Sequence, residues 1–295
     1  MIQNFKELIE KAKKNPKIVA VAAAEDEHAI QAVIEAKKLG IADFILTGDK
    51  EKIIALVEKN GGKIKDFEII PTQSFDESAV KAAEITGSGK ANAIMKGLTP
   101  SPTFLKAVLN DKGLKKEGSI LSHIALMSVP GWHKMFLASD CAVNISPKVE
   151  EKKIIIRHAV EVARKLGIKK PNTALVTASE VVNPKMKDTL DVEEILKSAG
   201  EFQDVFLGGP FALDNAISEE AAVLKKVTHP GAGKADILIL PDLSAANIFY
   251  KSLIFYAKAE SAGIILGAKS PIILVSRSDS EESKINSIAL ACVVS

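Results

Sequence analysis

The sequence predicts an α/β protein of mainly parallel sheets with helices on both faces. Short β-rich runs alternate with helix patterns almost throughout the chain. The helical stretches repeat apolar residues at a period near 3.6, and Ser-x-x-Glu sequences mark helix starts. Strand and helix in strict alternation is the pattern of parallel strands joined by crossover helices.

The runs follow in order. Residues 1–7 read as an amphipathic helix and not as a leader peptide. β-rich runs follow at 17–23, 43–47, 67–71 and 93–96. The box Ser74-x-x-Glu77 opens a helix between the third and the fourth. After Glu150, Ile155, Ala159, Val162 and Leu166 fall on one helical face. Further β-rich runs occur at 173–178, 204–207, 236–241, 263–266 and 271–276. The last helix carries Ile285, Ile288, Ala289 and Cys292, and Ser278-x-x-Glu281 reads as its capping box. The rhythm breaks once, where 119–129 and 133–139 are consecutive strands joined by Pro130-Gly131, a turn signal. That break sets the expected domain junction: residues 1–130 with 270–295 as domain I, residues 131–269 as domain II. A cleft between two such lobes is a common ligand site.

At 295 residues the chain is long enough for one large or two medium domains. It is 47% apolar and 26% charged, the balance of a globular protein. A net charge of +2, with scattered lysines and only 5% aromatics, argues against a nucleic-acid surface. Cys141 and Cys292 lack CxxC spacing, and His28, His123, His133, His158 and His229 form no HxH or HExxH pair, so no metal site is expected. No apolar run approaches the roughly 18 residues of a membrane span. The expected location is the cytoplasm.

Several phosphate-binding motifs fail. Gly87-Ser-Gly-Lys90 and Gly231-Ala-Gly-Lys234 lack the upstream glycine and following hydroxyl of a P-loop. No GxGxxG follows a strand, and GxSxG is missing. Arginine is rare, with only Arg157, Arg164 and Arg277 among 39 basic residues. Arg277 ends an apolar run as a Ser276-Arg277 pair just before a helix start. Its planar fork suits phosphate or carboxylate oxygens, and a helix N-terminus attracts the same groups. The alternative is a surface ion pair.

Other strand ends carry polar sets. Lys96-Gly97 closes one strand and precedes Thr99, Ser101 and Thr103, ahead of a helix expected from about Phe104. These residues hold a phosphate or simply cap that helix. Asp140 and Asn144 end another strand, and Asn183 and Asp214 lie in similar positions. Asp242 precedes a helix with Asn247 and Lys251 at i, i+4 on one face.

Seven blocks in order carry a resemblance: MKGLTPSPTFLKAVLN, LSHIAL, SDCAVNISP, EVVNPKM, GGPFALDNAISEEAA, ADILILPDLSAANIFYKSL and ILVSRSDS. From about Ala91 to the C-terminus the chain resembles the phosphate acetyl/butyryltransferase family, and within it the butyryltransferase branch. The resemblance implies a two-domain fold like isocitrate and isopropylmalate dehydrogenases, an active site in the interdomain cleft, and a homodimer or higher homo-oligomer. It implies reversible transfer of an acyl group between coenzyme A and inorganic phosphate, giving acyl phosphate, with no metal, cofactor or covalent acyl-enzyme. The thioester of coenzyme A is a substrate.

The family's serine–arginine pair maps onto Ser276 and Arg277. The acetyltransferase branch has an aspartate as proposed base seven residues beyond the serine, and this chain has Ser283 there, leaving Asp279, Glu281 or Glu282 to serve. Lys106 stands where that branch has arginine, and Ala246 where glycine is usual. The expected catalytic set is Ser276, Arg277, Asp279 and Glu282. The expected substrate-binding set is Lys96, Thr99, Ser101, Asp140, Asn144, Asn183, Asp214, Asn247 and Lys251. Three alternatives are a phosphate acetyltransferase, a non-catalytic protein binding coenzyme A or acyl phosphate, and a metal- and NAD-dependent dehydrogenase. The scarcity of arginine counts against the last.

Overall fold

The computed structural model describes residues 1–274 and 279–295. They form two compact units, residues 4–119 with 261–295, and residues 120–260 with 1–3. The junctions read from sequence, after residues 130 and 269, lie further along the chain. The Pro130-Gly131 turn stays inside one unit because it joins two hydrogen-bonded strands.

The first unit begins with α1 (Phe5–Lys13), β1 (Lys17–Ala22), α2 (Glu27–Lys38), β2 (Ala42–Gly48), α3 (Lys50–Lys59), β3 (Glu68–Pro71), α4 (Phe75–Gly87), β4 (Ala93–Lys96) and α5 (Ser101–Asn110). The second unit contains β5 (Ser122–Ser128), β6 (Phe136–Ser139), α6 (Val149–Lys165), β7 (Asn172–Val176), α7 (Lys187–Lys197), β8 (Phe206–Phe211), α8 (Leu213–Ile217), α9 (Glu219–Leu224), β9 (Ile237–Ile239) and α10 (Leu243–Phe255). The chain then returns to the first unit as β10 (Glu260–Leu266), β11 (Ile272–Ile273) and α11 (Glu281–Val294).

In the first unit the strands run β3-β2-β1-β4-β11-β10. All pairs there are parallel except β10 with β11. The alternation of strand and helix therefore breaks at this second place too, since the short connection at Gly267, with φ +107°, reverses the chain. The second unit is ordered β5-β6-β9-β7-β8, with only β5 and β6 antiparallel. The architecture is thus α/β on mostly parallel strands.

Val19, Ala20, Val21 and Ala22 of β1 are all fully buried. Successive strand residues point to opposite faces, so both faces of this strand are covered. On one group of contacts α11 meets α1 and α2, and on another α4 meets β1 and α5. Every residue of α11 from Ser283 to Cys292 is buried, which makes it a helix enclosed on all sides. In α6, Ile155, Ala159 and Val162 are buried together with Leu166 at its C-cap, as their spacing requires. Each fully buried large apolar side chain contributes roughly 1.5–3 kcal/mol.

Local signals differ in a few places. α1 starts at Phe5 with Asn4 as its cap, so residues 1–3 are not helical. Ser74 caps α4, but Glu77 returns its bond to the amide of Gln73. Ser280 caps α11 by accepting from the Ser283 amide at 3.1 Å, and Ser278, the start of the box read from sequence, lies outside the described residues. β8 begins two residues late and runs through Gly208, Gly209 and Pro210, because parallel pairing with β7 overrides their weak strand preference.

Candidate functional site

The strand order of the first unit reverses between β1 and β4, which are parallel neighbours, with β2 and β3 laid down on one side of β1 and β4 on the other. In open parallel sheets such a switch point opens a crevice at the strands' carboxyl ends. β11 lies parallel beside β4, with Ile272 opposite Ile94 and Ile273 opposite Met95. All three strands therefore end at this edge.

The loop after β4 is held tightly. The Gly97 and Leu98 amides donate to the Ala22 and Ala23 carbonyls, both at 2.8 Å. A β-carbon at residue 97 would collide with the Ala23 oxygen, so the close approach requires glycine. Lys96 is half-buried, and its ammonium donates to the Gly97 and Thr99 carbonyls at 3.0 and 3.3 Å. Thr99 is fully buried, and its hydroxyl has no hydrogen-bond partner among the described residues. A desolvated hydroxyl left unpaired is costly, and it stands beside a cation.

The helix expected from about Phe104 begins earlier. Ser101 and Thr103 lie in the first turn of α5, which has no side-chain cap. Pro100 presets the entry, and the first-turn amides and hydroxyls follow directly from the Lys96–Thr99 loop. Lys96, Thr99 and Ser101 are thus brought together at one strand end. Lys106 is on the same helix and lines a groove between α4 and α5 with Thr103.

Ser276 and Arg277 lie outside the described residues. Beyond them, Glu281 and Glu282 occupy the exposed first turn of α11, where acidic groups suit the helix dipole. Asp279 is half-buried and its carbonyl accepts from Lys284 at 2.7 Å. Ser283 is buried, with its hydroxyl 3.0 Å from that of Ser261. The position that carries an acid in the acetyl branch is here part of an internal hydroxyl chain, which continues as Ser287 donates to the Ser283 carbonyl.

The remaining candidates belong to the second unit. Asp140, joined to Ser139 by a cis peptide bond, is 4% exposed. Its carboxylate accepts from the amides of Ala142, Val143 and Asn144 and from the Asn144 side chain. Asn144 also donates to the Leu121 carbonyl. Asn247 donates to the Cys141 carbonyl at 3.1 Å, and Asp242 caps α10. Asp140, Asn144 and Asn247 therefore meet as a network that braces the loop after β6, and Lys251 points outward, exposed. Asn183 caps a turn before α7 through Lys185 and Thr189. Asp214 is exposed, and the Lys225 ammonium at 3.0 Å holds its carboxyl below the usual carboxylate range.

Sequence reading missed Glu25 and Thr72, which sit after β1 and β3 at the carboxyl edge of the first unit. A carboxylate following the apolar run of β1 is the one signal that marked it. Of the polar pair Asp214-Asn215 sequence reading carried only Asp214 into the binding set, and Asn215 is the one that is fully buried. Among the described residues no group of three or more His, Cys, Asp or Glu can hold a metal ion, and no helix is long and apolar enough to cross a membrane.

Comparison with known proteins adds to this geometry. Residues 51–292 match the family model described as phosphate acetyl/butaryl transferase. The chain is 42% identical to the phosphate butyryltransferase of Clostridium acetobutylicum, covering 100% of this chain and 99% of that one. It is 41% identical to the phosphate acetyltransferase of Thermotoga maritima, covering 98% and 99%. A branched-chain phosphotransacylase from Enterococcus faecalis V583 superposes with a TM-score of 0.84 at 34% identity, covering 94% of this chain and 99% of that one.

Proposed function

This chain belongs to the phosphate acetyl/butaryl transferase family, and from that premise we infer that it transfers a short acyl group reversibly between coenzyme A and inorganic phosphate. It is an enzyme, a phosphate acyltransferase. The observation that carries this reading is the match of 42% over the full length of a phosphate butyryltransferase.

In the forward direction a phosphate oxygen attacks the thioester carbonyl carbon, the tetrahedral intermediate collapses, and the C–S bond breaks. Phosphate is a weak nucleophile unless positioned, so a ternary complex supplies proximity. Donors aimed at the developing oxyanion supply the rest. Arg277 holds the phosphate or acyl-phosphate oxygens, and Ser276 serves the oxyanion or the sulfur. Lys96, the buried Thr99 hydroxyl and the first turn of α5 at Ser101 support the anion. Asp279 or Glu282 exchanges the thiol proton in the reverse direction. Asp140, Asn144, Asn183, Asp214, Asn247 and Lys251 serve substrate from the second unit, Asp140 and Asn144 by holding their loop in shape.

The reading includes a two-domain arrangement like isocitrate and isopropylmalate dehydrogenases, with domain I carrying the serine–arginine pair and the active site in the interdomain cleft. It includes a cytoplasmic location, the absence of any required cofactor, and a homodimer or higher homo-oligomer. The outward side of α10, with Ile248, Phe255 and Tyr256 at 66%, 59% and 90% exposure, supports the last. Four-carbon or branched acyl groups are the preferred cargo.

The test is thiol release from a panel of acyl-CoAs, with and without inorganic phosphate, in excess chelator. Release from butyryl-CoA is expected only with phosphate present. Each buried methylene contributes about 0.8 kcal/mol, so butyryl should exceed acetyl by roughly one to two powers of ten in kcat/KM. Phosphate-independent release would indicate a thioesterase. An acetyl value equal to the butyryl value would assign the acetyl branch instead.

A further inference from the structure

Among the described residues three lysines are almost wholly buried, Lys152, Lys153 and Lys284, at 6%, 8% and 5% exposure. An ammonium taken out of water is costly unless an opposite charge comes with it. Two of the three have one: Lys152 meets Asp191 at 2.9 Å and Lys153 meets Glu150 at 2.8 Å. Lys284 does not. Its ammonium donates to the main-chain carbonyl of Asp279 at 2.7 Å, a neutral partner, and among the described residues it forms no ion pair. Residues 275–278, Val-Ser-Arg-Ser, hold no carboxylate that could supply one. Glu281 and Glu282 stand in the same first turn of α11 but are exposed.

The position makes the unmatched charge costlier still. Lys284 lies one turn into α11, and the N-terminal end of a helix is itself positive. Helical side chains lean toward the N-terminus, and the bond to Asp279 carries the ammonium back over that end. Ser283 beside it meets Ser261 at the start of β10, which runs antiparallel to β11. The first turn of α11 therefore lies at the carboxyl edge of β11 and of its parallel neighbour β4, the edge at which the Lys96–Thr99 loop begins. A buried cation that the chain itself leaves unmatched calls for an anion from outside. Which anion rests on the acyltransferase reading, in which phosphate is the ion that must be held. We propose that Lys284 is a direct ligand of the inorganic phosphate, its ammonium donating to a phosphate oxygen and offsetting part of its charge.

Thermal melting of the purified protein against inorganic phosphate, at constant ionic strength set by chloride, reads the site without turnover. The melting temperature of the parent should rise with phosphate. Lys284→Met keeps most of the length and removes the charge, and should need at least about fivefold more phosphate for the same rise, the worth of a charge-assisted hydrogen bond. Without phosphate this variant should melt no lower than the parent, since it no longer buries an unmatched charge. Lys284→Gln retains a donor for the Asp279 carbonyl yet should lose the phosphate response equally, and it carries the test if the methionine variant does not fold. In thiol release from butyryl-CoA, the phosphate KM of either variant should rise by the same factor, with the butyryl-CoA KM within about twofold of the parent. A smaller shift in both variants, or a parent that does not respond to phosphate, overturns the proposal. So does a lower melting temperature in both variants without phosphate, which is the mark of a purely structural lysine. Phosphate-dependent melting in a parent that releases no thiol would remove the acyltransferase reading while leaving the role of Lys284 readable.

Discussion

Gly97 presses against Ala23 so closely that a β-carbon at residue 97 would lie 2.2 Å from the Ala23 carbonyl oxygen. That contact seats the loop after β4 on the end of β1, and so positions Lys96 and Thr99 at the switch point of the strand order. Gly97→Ala must push the loop outward, because the obstructing atom is backbone. Crowding of this kind costs about 1–3 kcal/mol. The expected result is a lowered melting temperature with phosphate-dependent thiol release down at least tenfold in kcat/KM. Unchanged kinetics would detach the loop from the chemistry.

Arg277→Lys keeps the charge but loses the two-donor fork. Hydrogen bonds to charged groups are worth about 1.5–3 kcal/mol. The expected loss is therefore roughly one to two powers of ten in kcat/KM, expressed in the phosphate KM or in kcat, with circular dichroism unchanged. Arg277→Ala should be worse. Near-normal kinetics for Arg277→Lys would make it a surface ion-pairing residue and move the anion site to Lys96.

Asp191 receives Lys152 at 2.9 Å and Lys187 at 2.7 Å, and both Lys152 and Asp191 are buried. Burial by itself raises the Asp191 carboxyl, but the hydrogen bonds and charges of Lys152 and Lys187 together outweigh it and hold the group below its ordinary value. A depressed carboxyl contributes stability that is complete above its unfolded value, near 3.9, and is lost as pH falls through the folded one. Asp191→Ala strands the Lys152 ammonium and should cost about 3 kcal/mol. Urea denaturation at pH 7 and between pH 5 and 2 measures both effects. The variant should lose stability less steeply on acidification than the parent.

Neither cysteine should react or be needed. Burial pushes the Cys292 thiol up to about 12 and Cys141 further, the latter aided by the Asp140 charge. Thiolates are the reactive form, so an aromatic disulfide reagent at pH 8 should label neither in the folded protein and both after denaturation. Cys141→Ala and Cys292→Ala should retain activity within about tenfold. A folded variant inactive by more than a hundredfold would call for a covalent acyl-enzyme.

Much of the local structure of both units is legible in the chain. β4 carries the bounds read from its apolar run, and the faces of α6 and α11 bury the residues their spacing selected. Both are one-dimensional signals, since a buried parallel strand must be apolar throughout and a packed helix must repeat its face. The candidate site was legible less evenly. Lys96 and Thr99 stand together because four consecutive residues form one loop. Asp140 and Asn144 were legible as a polar pair, but it was not legible that the Asp140 carboxylate accepts from the amides of its own loop while the Asn144 side chain donates both to it and to the Leu121 carbonyl. Which oxygen accepts which amide depends on backbone path, and residue types alone do not record it.

The sequence by itself determined the alternation of strand and helix, the apolar faces, and the ordered blocks that carry family membership, because these depend on near neighbours or on order along the chain. Tertiary structure decided which strand ends share an edge. Glu25, Gly48 and Thr72 are separated by more than twenty residues at each step, yet β1, β2 and β3 run parallel, bring Glu25 and Thr72 to one cavity and set Gly48 against the Glu25 carboxylate. No local pattern encodes that meeting, because hydrogen-bond register between distant strands, and the space that a missing β-carbon leaves, exist only once the sheet has formed.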